Sequence, residues 1–162
     1  MMTRVAAQER AFHVRKSARG LNDIVAMATA AVAHTPADCR EAVTMAVTEL
    51  CENLVKYVEG GGAGTLSVED DHGTIRLRVV NPNCSSSDAT LVRETVERLK
   101  TTDARVLYRA RLTELFANPA APRARLGLLR IAFEGRFRLL ASYRAPVLEI
   151  VAERSSESGP PA

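Results

Sequence analysis

Glu49, Asn53 and Lys56 stand at steps of four and three residues in the run 46–58, AVTELCENLVKYV. On a helix those steps return to nearly the same angle, so a carboxylate, a carboxamide and an ammonium share one face. Side by side they are suited to Mg-nucleotide chemistry. The carboxylate can orient or deprotonate an attacking group, the amide oxygen is a hard ligand for Mg²⁺, and the ammonium neutralises phosphate charge. The same spacing also describes an ordinary solvated face, because Glu52 and Lys56 make a common Glu-to-Lys i,i+4 pair.

The helix that must carry these groups has a second, apolar stripe of Val43, Val47, Leu50 and Leu54 that would face a core. Its start is marked by Thr35 as a cap, Pro36 in the first turn and Asp38 at the positive end of the dipole. It is expected to run to about Val58, where Gly60, Gly61 and Gly62 stop it. Before it, residues 10–15 alternate as a short strand, and a helix is expected from Ser17 to Ala33. After it come two β-rich runs, Gly64–Glu69 and Thr74–Val80, joined by an Asp-His-Gly turn. A polar loop then leads to a helix over about Ala89–Lys100, capped by Ser87 or Asp88. Further helices are expected over Ala104–Phe116 and Leu126–Phe133, and a closing strand pair over Arg136–Tyr143 and Pro146–Glu153. This order predicts one α+β domain over residues 1–153, with helices on one face of a mixed, mainly antiparallel sheet, and a disordered tail over 154–162.

Composition narrows the functions available. The chain has 162 residues, 46% of them hydrophobic, which suffices for one core. Its formal net charge of +3 permits phosphate contacts without demanding them. With no Trp and few aromatics it lacks a stacking platform for single-stranded nucleic acid, so no direct nucleic-acid partner is expected. Cys39, Cys51 and Cys84 show neither a C-x-x-C pair nor a zinc spacing, and their odd number points to reduced thiols in a cytoplasmic protein. The run from Ile24 to Ala33 is too short to span a bilayer, and no signal peptide is expected. His13, His34 and His72 are scattered and read as surface or packing residues.

The run Glu49-Leu50-x-x-Asn53-x-x-Lys56-Tyr57 resembles the N box of the GHKL family, the ATP-binding fold of histidine kinases and bacterial anti-sigma-factor kinases. The segment 107–132, with Leu107-Tyr108-Arg109-Ala110-Arg111-Leu112 and Leu126-Gly127-Leu128-Leu129-Arg130-Ile131-Ala132, is similar to the SiaB-type regulators of partner-switching systems. The resemblance covers roughly residues 36–153. It implies a two-layer α/β sandwich with the nucleotide between the helical layer and a lid. It also implies ATP and Mg²⁺ as cofactors and a protein partner of the anti-sigma-antagonist (STAS-like) type. Some members phosphorylate a Ser or Thr of that partner, and by analogy a homodimer is expected.

On the same resemblance Glu49 would be the base or orienter for the partner's hydroxyl, Asn53 would bind Mg²⁺ and Lys56 would contact phosphate. Two glycine motifs depart from the pattern. Asn81 stands where members carry an Asp that accepts a hydrogen bond from the adenine amino group, and Asn83 and Ser85 stand at glycine positions. A charge-assisted bond is worth about 1.5–3 kcal/mol against about 0.5–1.5 kcal/mol for a neutral one, so the exchange costs about tenfold in affinity. By residues alone, Asn-Pro-Asn is also a plain turn. In the second motif, expected to open a phosphate-binding helix, Gly127 is kept and Arg125 replaces the first glycine. Arg125 either binds phosphate or fills the site, and Arg123, Arg125 and Arg130 either steer an anion or merely solubilise. The departures leave two expectations: an ATP-dependent Ser/Thr kinase of a partner-switching module, or an inactive protein-binding module that has lost nucleotide binding.

Overall fold

The computed structural model describes residues 8–15, 18–121 and 125–157. Five strands and five helices follow one another as β1 (Gln8–Val14), α1 (Ala18–Ala31), α2 (Ala37–Tyr57), β2 (Gly64–Asp71), β3 (Thr74–Asn81), α3 (Ser86–Thr101), α4 (Ala104–Ala117), α5 (Leu126–Phe133), β4 (Arg138–Arg144) and β5 (Val147–Ser155). The strands form one sheet in the order β1-β2-β3-β5-β4, and every neighbouring pair is antiparallel. The expected mixed sheet is therefore corrected to a fully antiparallel one. β2–β3 and β4–β5 are hairpins, the connection through α1 and α2 returns to the same end of the sheet, and β4, which runs parallel to β3, is separated from it by β5, so no strand runs parallel to its neighbour.

Alternation decides which face is covered. Leu66 and Val68 of β2, Ile75, Leu77 and Val79 of β3, and Leu148, Ile150 and Ala152 of β5 are buried. Against them lie Val43, Val47, Leu50 and Leu54 of α2, all buried as their stripe predicts. Cys39, Ala42, Ala46 and Cys51 of α2 are buried as well, because α2 packs on α1 and α5 as well as on the sheet. Burial pushes the Cys51 thiol up to about 12, with the charge of Glu52 adding to it.

The opposite face of the sheet carries charge. The strand register sets Glu69, Arg76, Glu153 and Arg138 in one row across β2, β3, β5 and β4. Arg76 donates to Glu69 at 2.8 Å and to Glu153 at 3.0 Å, and Arg138 donates to Glu153 at 2.9 Å. Cross-strand pairs of opposite charge support a register without needing a second layer of helices, so the sandwich has two layers.

Several boundaries move for local reasons. Thr35 does not cap α2: its hydroxyl donates to Val32 O at 2.7 Å, closing the turn after α1, and Pro36 takes the cap position. α3 starts earlier than expected because Ser85 is its cap. The Ser85 hydroxyl accepts from Asp88 N at 3.2 Å and donates to the Asp88 carboxylate at 2.9 Å. The chain leaves α2 at Val58 in extended backbone, and Gly60 and Gly61 then turn it toward β2 with positive φ. Arg154, expected to open the tail, lies inside β5 and is 8% exposed. Its guanidinium donates to Gly135 O at 3.0 Å and lies over the Phe137 ring. The expected helix start at Ser17 and the end of the tail lie outside the described residues.

Gly64, at the start of β2, is a point of close approach. A Cβ there would lie 2.4 Å from Leu54 Cδ1 and 2.7 Å from Val80 O, and the latter, being backbone, cannot swing aside. Gly64→Ala is therefore expected to destabilise the fold by about 2 kcal/mol, through overpacking between α2 and the sheet; urea denaturation measures this. A second expectation concerns acid. Hydrogen bonds from Arg138 and then Arg76 hold the Glu153 carboxyl below its usual range. A depressed carboxyl stabilises the fold above its unfolded value, and the contribution disappears as pH falls through the native value. The stability gap between wild type and Glu153→Gln should be open at pH 7 and narrow as pH falls through the depressed native value. A gap unchanged between those conditions would show that Glu153 acts through packing instead of charge.

Candidate functional site

The residues singled out from sequence lie on two adjoining compartments. The first is an open, polar cleft between α2 and α5. Glu49, Asn53 and Lys56 line it from α2, and Gly127 and Arg130 line it from α5. The second is a largely apolar cavity beneath α2, with about 580 Å³ of empty volume including its open mouth. Leu50, Leu54, Val79, Leu128 and Ile150 supply its walls, and its polar groups come from Asn53, Asn81, Asp88 and Arg125. Asn53 borders both compartments.

Gly127 sets the spacing of the polar cleft. A Cβ at this position would lie 2.5 Å from Glu49 Oε2, 3.3 Å from Glu49 Cδ and 3.6 Å from Asn53 Nδ2. The first turn of α5 can rest against the polar face of α2 because the side chain there is a hydrogen. Glu49 in turn is tethered: its Oε1 accepts from Arg130 Nη1 at 3.1 Å. Arg130 Nε donates to Glu134 at 2.8 Å, and the Tyr108 hydroxyl of α4 donates to the same carboxylate at 3.2 Å. Hydrogen bonds to Glu134 and then Glu49 raise the guanidinium pKa, so Arg130 is a permanent cation here. Burial raises the Tyr108 hydroxyl above its usual range, with the charge of Glu134 next, which keeps it a donor.

Lys56 makes no ion pair with Glu52, contrary to the i,i+4 reading; its ammonium lies 5.3 Å from the centroid of the Tyr57 ring. The role of Arg130 was not assigned from sequence beyond steering or solubility. The signal was present: Gly127, Arg130 and Glu134 follow at steps of three and four, one face of α5. Arg123 lies outside the described residues. The three histidines are exposed on β1, after α1 and in the β2–β3 turn, and none lines either compartment.

In the apolar cavity, Asn81 is 3% exposed. Its side-chain oxygen accepts from Asn83 N at 3.0 Å, so Asn-Pro-Asn is a side-chain-stabilised turn as well as a cavity wall. Asn83 Nδ2 donates to Glu59 O at 3.2 Å, and Glu59 N donates to Asn83 O at 2.9 Å. The turn after α2 is thereby tied to the loop after β3. Asn83 and Ser85 do not crowd the cavity; one clasps Glu59 and the other caps α3.

Arg125 occupies the cap position of α5 with φ 77°. That left-handed conformation costs a residue with a Cβ about 1–2 kcal/mol and a glycine almost nothing. The arginine thus adopts a glycine's backbone. Its side chain lines the apolar cavity and not the Glu49 cleft, and its Nε is buried with no hydrogen-bond partner among the described residues. Among the described residues no group of three His, Cys, Asp or Glu side chains gathers as a metal site, and no helix is long and apolar enough to cross a membrane. The chain matches no protein-family model and no curated protein.

The contact between Gly127 and Glu49 can be measured directly. A helix interior favours Ala over Gly by about 1 kcal/mol, so Gly127→Ala should stabilise α5 once the obstacle is gone. In wild type the added methyl meets the Glu49 carboxylate and offsets that gain. A double-mutant cycle over Gly127→Ala and Glu49→Ala should return a coupling of about 1 kcal/mol. Additive effects would mean that the carboxylate does not rest on α5.

Proposed function

We propose that this chain is a signalling regulator of the GHKL partner-switching class, which binds Mg-ATP and a protein partner of the anti-sigma-antagonist type. One observation carries the reading. Residues scattered over 49–127 and selected by their resemblance to nucleotide motifs, Glu49, Asn53, Lys56, Asn81, Arg125 and Gly127, border two compartments that share Asn53. A chance match of helical spacing gives no reason for Asn81 and Gly127, on other elements, to join the same neighbourhood.

The division of chemistry between the compartments also supports it. A flat base belongs in the apolar cavity, and phosphates belong in the polar cleft beside Lys56, Arg130 and the N-terminal turn of α5. The Asn53 oxygen, with the carboxylates of Glu49 and Glu52 beside it, is a hard donor set that suits Mg²⁺, whose remaining ligands come from nucleotide phosphates and water. Mg²⁺ would neutralise phosphate charge there. Phosphoryl transfer to a Ser or Thr hydroxyl of the partner is the reaction Glu49 would serve, by accepting the hydroxyl proton.

A second reading, a binding module without catalysis, draws on the Glu49–Arg130 pair. A carboxylate tethered to a guanidinium is held in one orientation and is less free to turn toward a partner's hydroxyl. In that case the fold and partner surface persist while transfer does not occur. Calorimetric titration with ATP, with and without Mg²⁺, tests the nucleotide site common to both motifs. Saturable, Mg-dependent binding is expected, weakened at least tenfold in Asn53→Ala by loss of the metal ligand. A folded protein that takes up no ATP at millimolar concentration would remove the kinase reading and leave the protein-binding module.

A further inference from the structure

Three helices meet around a further polar space, apart from the Glu49 cleft. α3 supplies Thr95 and Arg98, α4 supplies Arg111 and Glu114, and α5 supplies Arg125 and Leu129. Steps of three or four residues put each pair on one face of its helix. The space holds about 460 Å³ including its open mouth. Among the described residues it shares Arg125 with the apolar cavity and nothing with the cleft.

Its charges do not balance. Three guanidiniums border it, and Glu114 is the one carboxylate in the lining, which leaves two positive charges over. Glu114 accepts from Arg111 Nη1 at 2.6 Å, and its side chain is 62% exposed against 13% for Arg111. Among the described residues neither Arg98 nor Arg125 is in an ion pair. The Arg125 Nε is buried and has no hydrogen-bond partner among them. Cations gathered in a partly buried space repel one another, and a buried donor without an acceptor is destabilising. An oxyanion relieves both, and the planar guanidinium fork matches phosphate geometry.

We infer that this space is a phosphate site, taking inorganic phosphate or a phosphate monoester as the dianion. Two unbalanced positive charges suit a dianion better than a carboxylate. Arg98, Arg111 and Arg125 donate to its oxygens from three helices. Glu114 gives way to the ligand, because an exposed ion pair is weak and the carboxylate can turn to water. The site is separate from the proposed nucleotide cleft and stands or falls without it.

Calorimetric titration of the full-length chain with inorganic phosphate, at neutral pH, fixed ionic strength and without nucleotide, tests the assignment. Saturable binding is expected, weakened about tenfold in Arg98→Gln and in Arg111→Gln through loss of one charge-assisted bond. Arg98 is exposed, so its variant keeps the test open if Arg111→Gln fails to fold. O-phosphoserine titrated alongside separates the sources: binding at least as tight as that of phosphate identifies a monoester, and binding of phosphate alone identifies the free anion. No saturable uptake at millimolar phosphate overturns the site, and so does acetate binding as tightly as phosphate. Phosphate binding that survives in both arginine variants and is lost in Lys56→Gln would place the anion in the α2–α5 cleft and overturn it as well.

Discussion

The close approach of α5 to the polar face of α2 at Gly127 is the constraint on which the site depends. With hydrogen as the side chain, the helix start reaches the Glu49 carboxylate and the Asn53 carboxamide; with a methyl it would overlap the carboxylate oxygen. The polar cleft exists at this interface, because Glu49, Asn53 and Lys56 face it from one helix and Arg130 faces it from the other. The same approach brings Leu128, the next residue of α5, under α2 as part of the cavity wall. One glycine therefore leaves room for the Glu49 carboxylate at the seam between the two compartments. A wider α2–α5 separation would open the cavity and break the Glu49–Arg130 pair together.

The sheet supplies the floor and fixes it from the far side. A charged row through Glu69, Arg76, Glu153 and Arg138 crosses four strands and ties them in register. A slip of one residue would turn Leu77, Val79 and Asn81 outward and bring the arginines in. Asn81 faces the cavity because it is the last residue of the alternation Ile75, Leu77, Val79. It is a polar side chain at a core position, and its burial is made tolerable on one branch by Asn83. Arg125, which lines the same cavity, combines left-handed backbone with an Nε that is buried and unpartnered among the described residues.

Much of this was legible in sequence. The elements were fixed by strong local signals: the α2 stripe, the Asp71-His72-Gly73 turn with its two positive φ angles at His72 and Gly73, and the alternation of β2 and β3. The α+β class followed from their order. What was not legible arose from contacts between distant residues. The Glu153 row needs the pairing of β4 with β5 and β3, which no local pattern specifies. The cap of α3 went to Ser85 because its hydroxyl sits three residues before Asp88, a pairing that competes with Ser87 on equal local terms. Arg154 read as the start of a polar tail, yet its guanidinium reaches Gly135 O and the Phe137 ring, since a long arginine can bury its stem and satisfy its head on backbone. The Glu49–Arg130 pair spans 81 residues of sequence and could be found only once α5 was set against α2.

That pair also bears on whether the cleft is blocked. The Arg130 side chain is 43% exposed and Glu49 21%, so the contact is solvated on one side. Exposed ion pairs of this kind contribute about 0–1 kcal/mol. A multiply charged phosphate beside Arg130 forms charge-assisted bonds worth about 1.5–3 kcal/mol each. By magnitude the guanidinium is easier to draw from Glu49 than to hold there against such a ligand. Glu134, which shares Arg130 on its own helix, gives the arginine a second anchor and keeps it at the cleft while the first contact breaks. The tether thus positions the Glu49 side chain when the cleft is empty and yields to a phosphate when it is filled. It is no barrier to the proposed nucleotide, because Arg130 can pass from one carboxylate to a phosphate while Glu134 keeps it at the cleft.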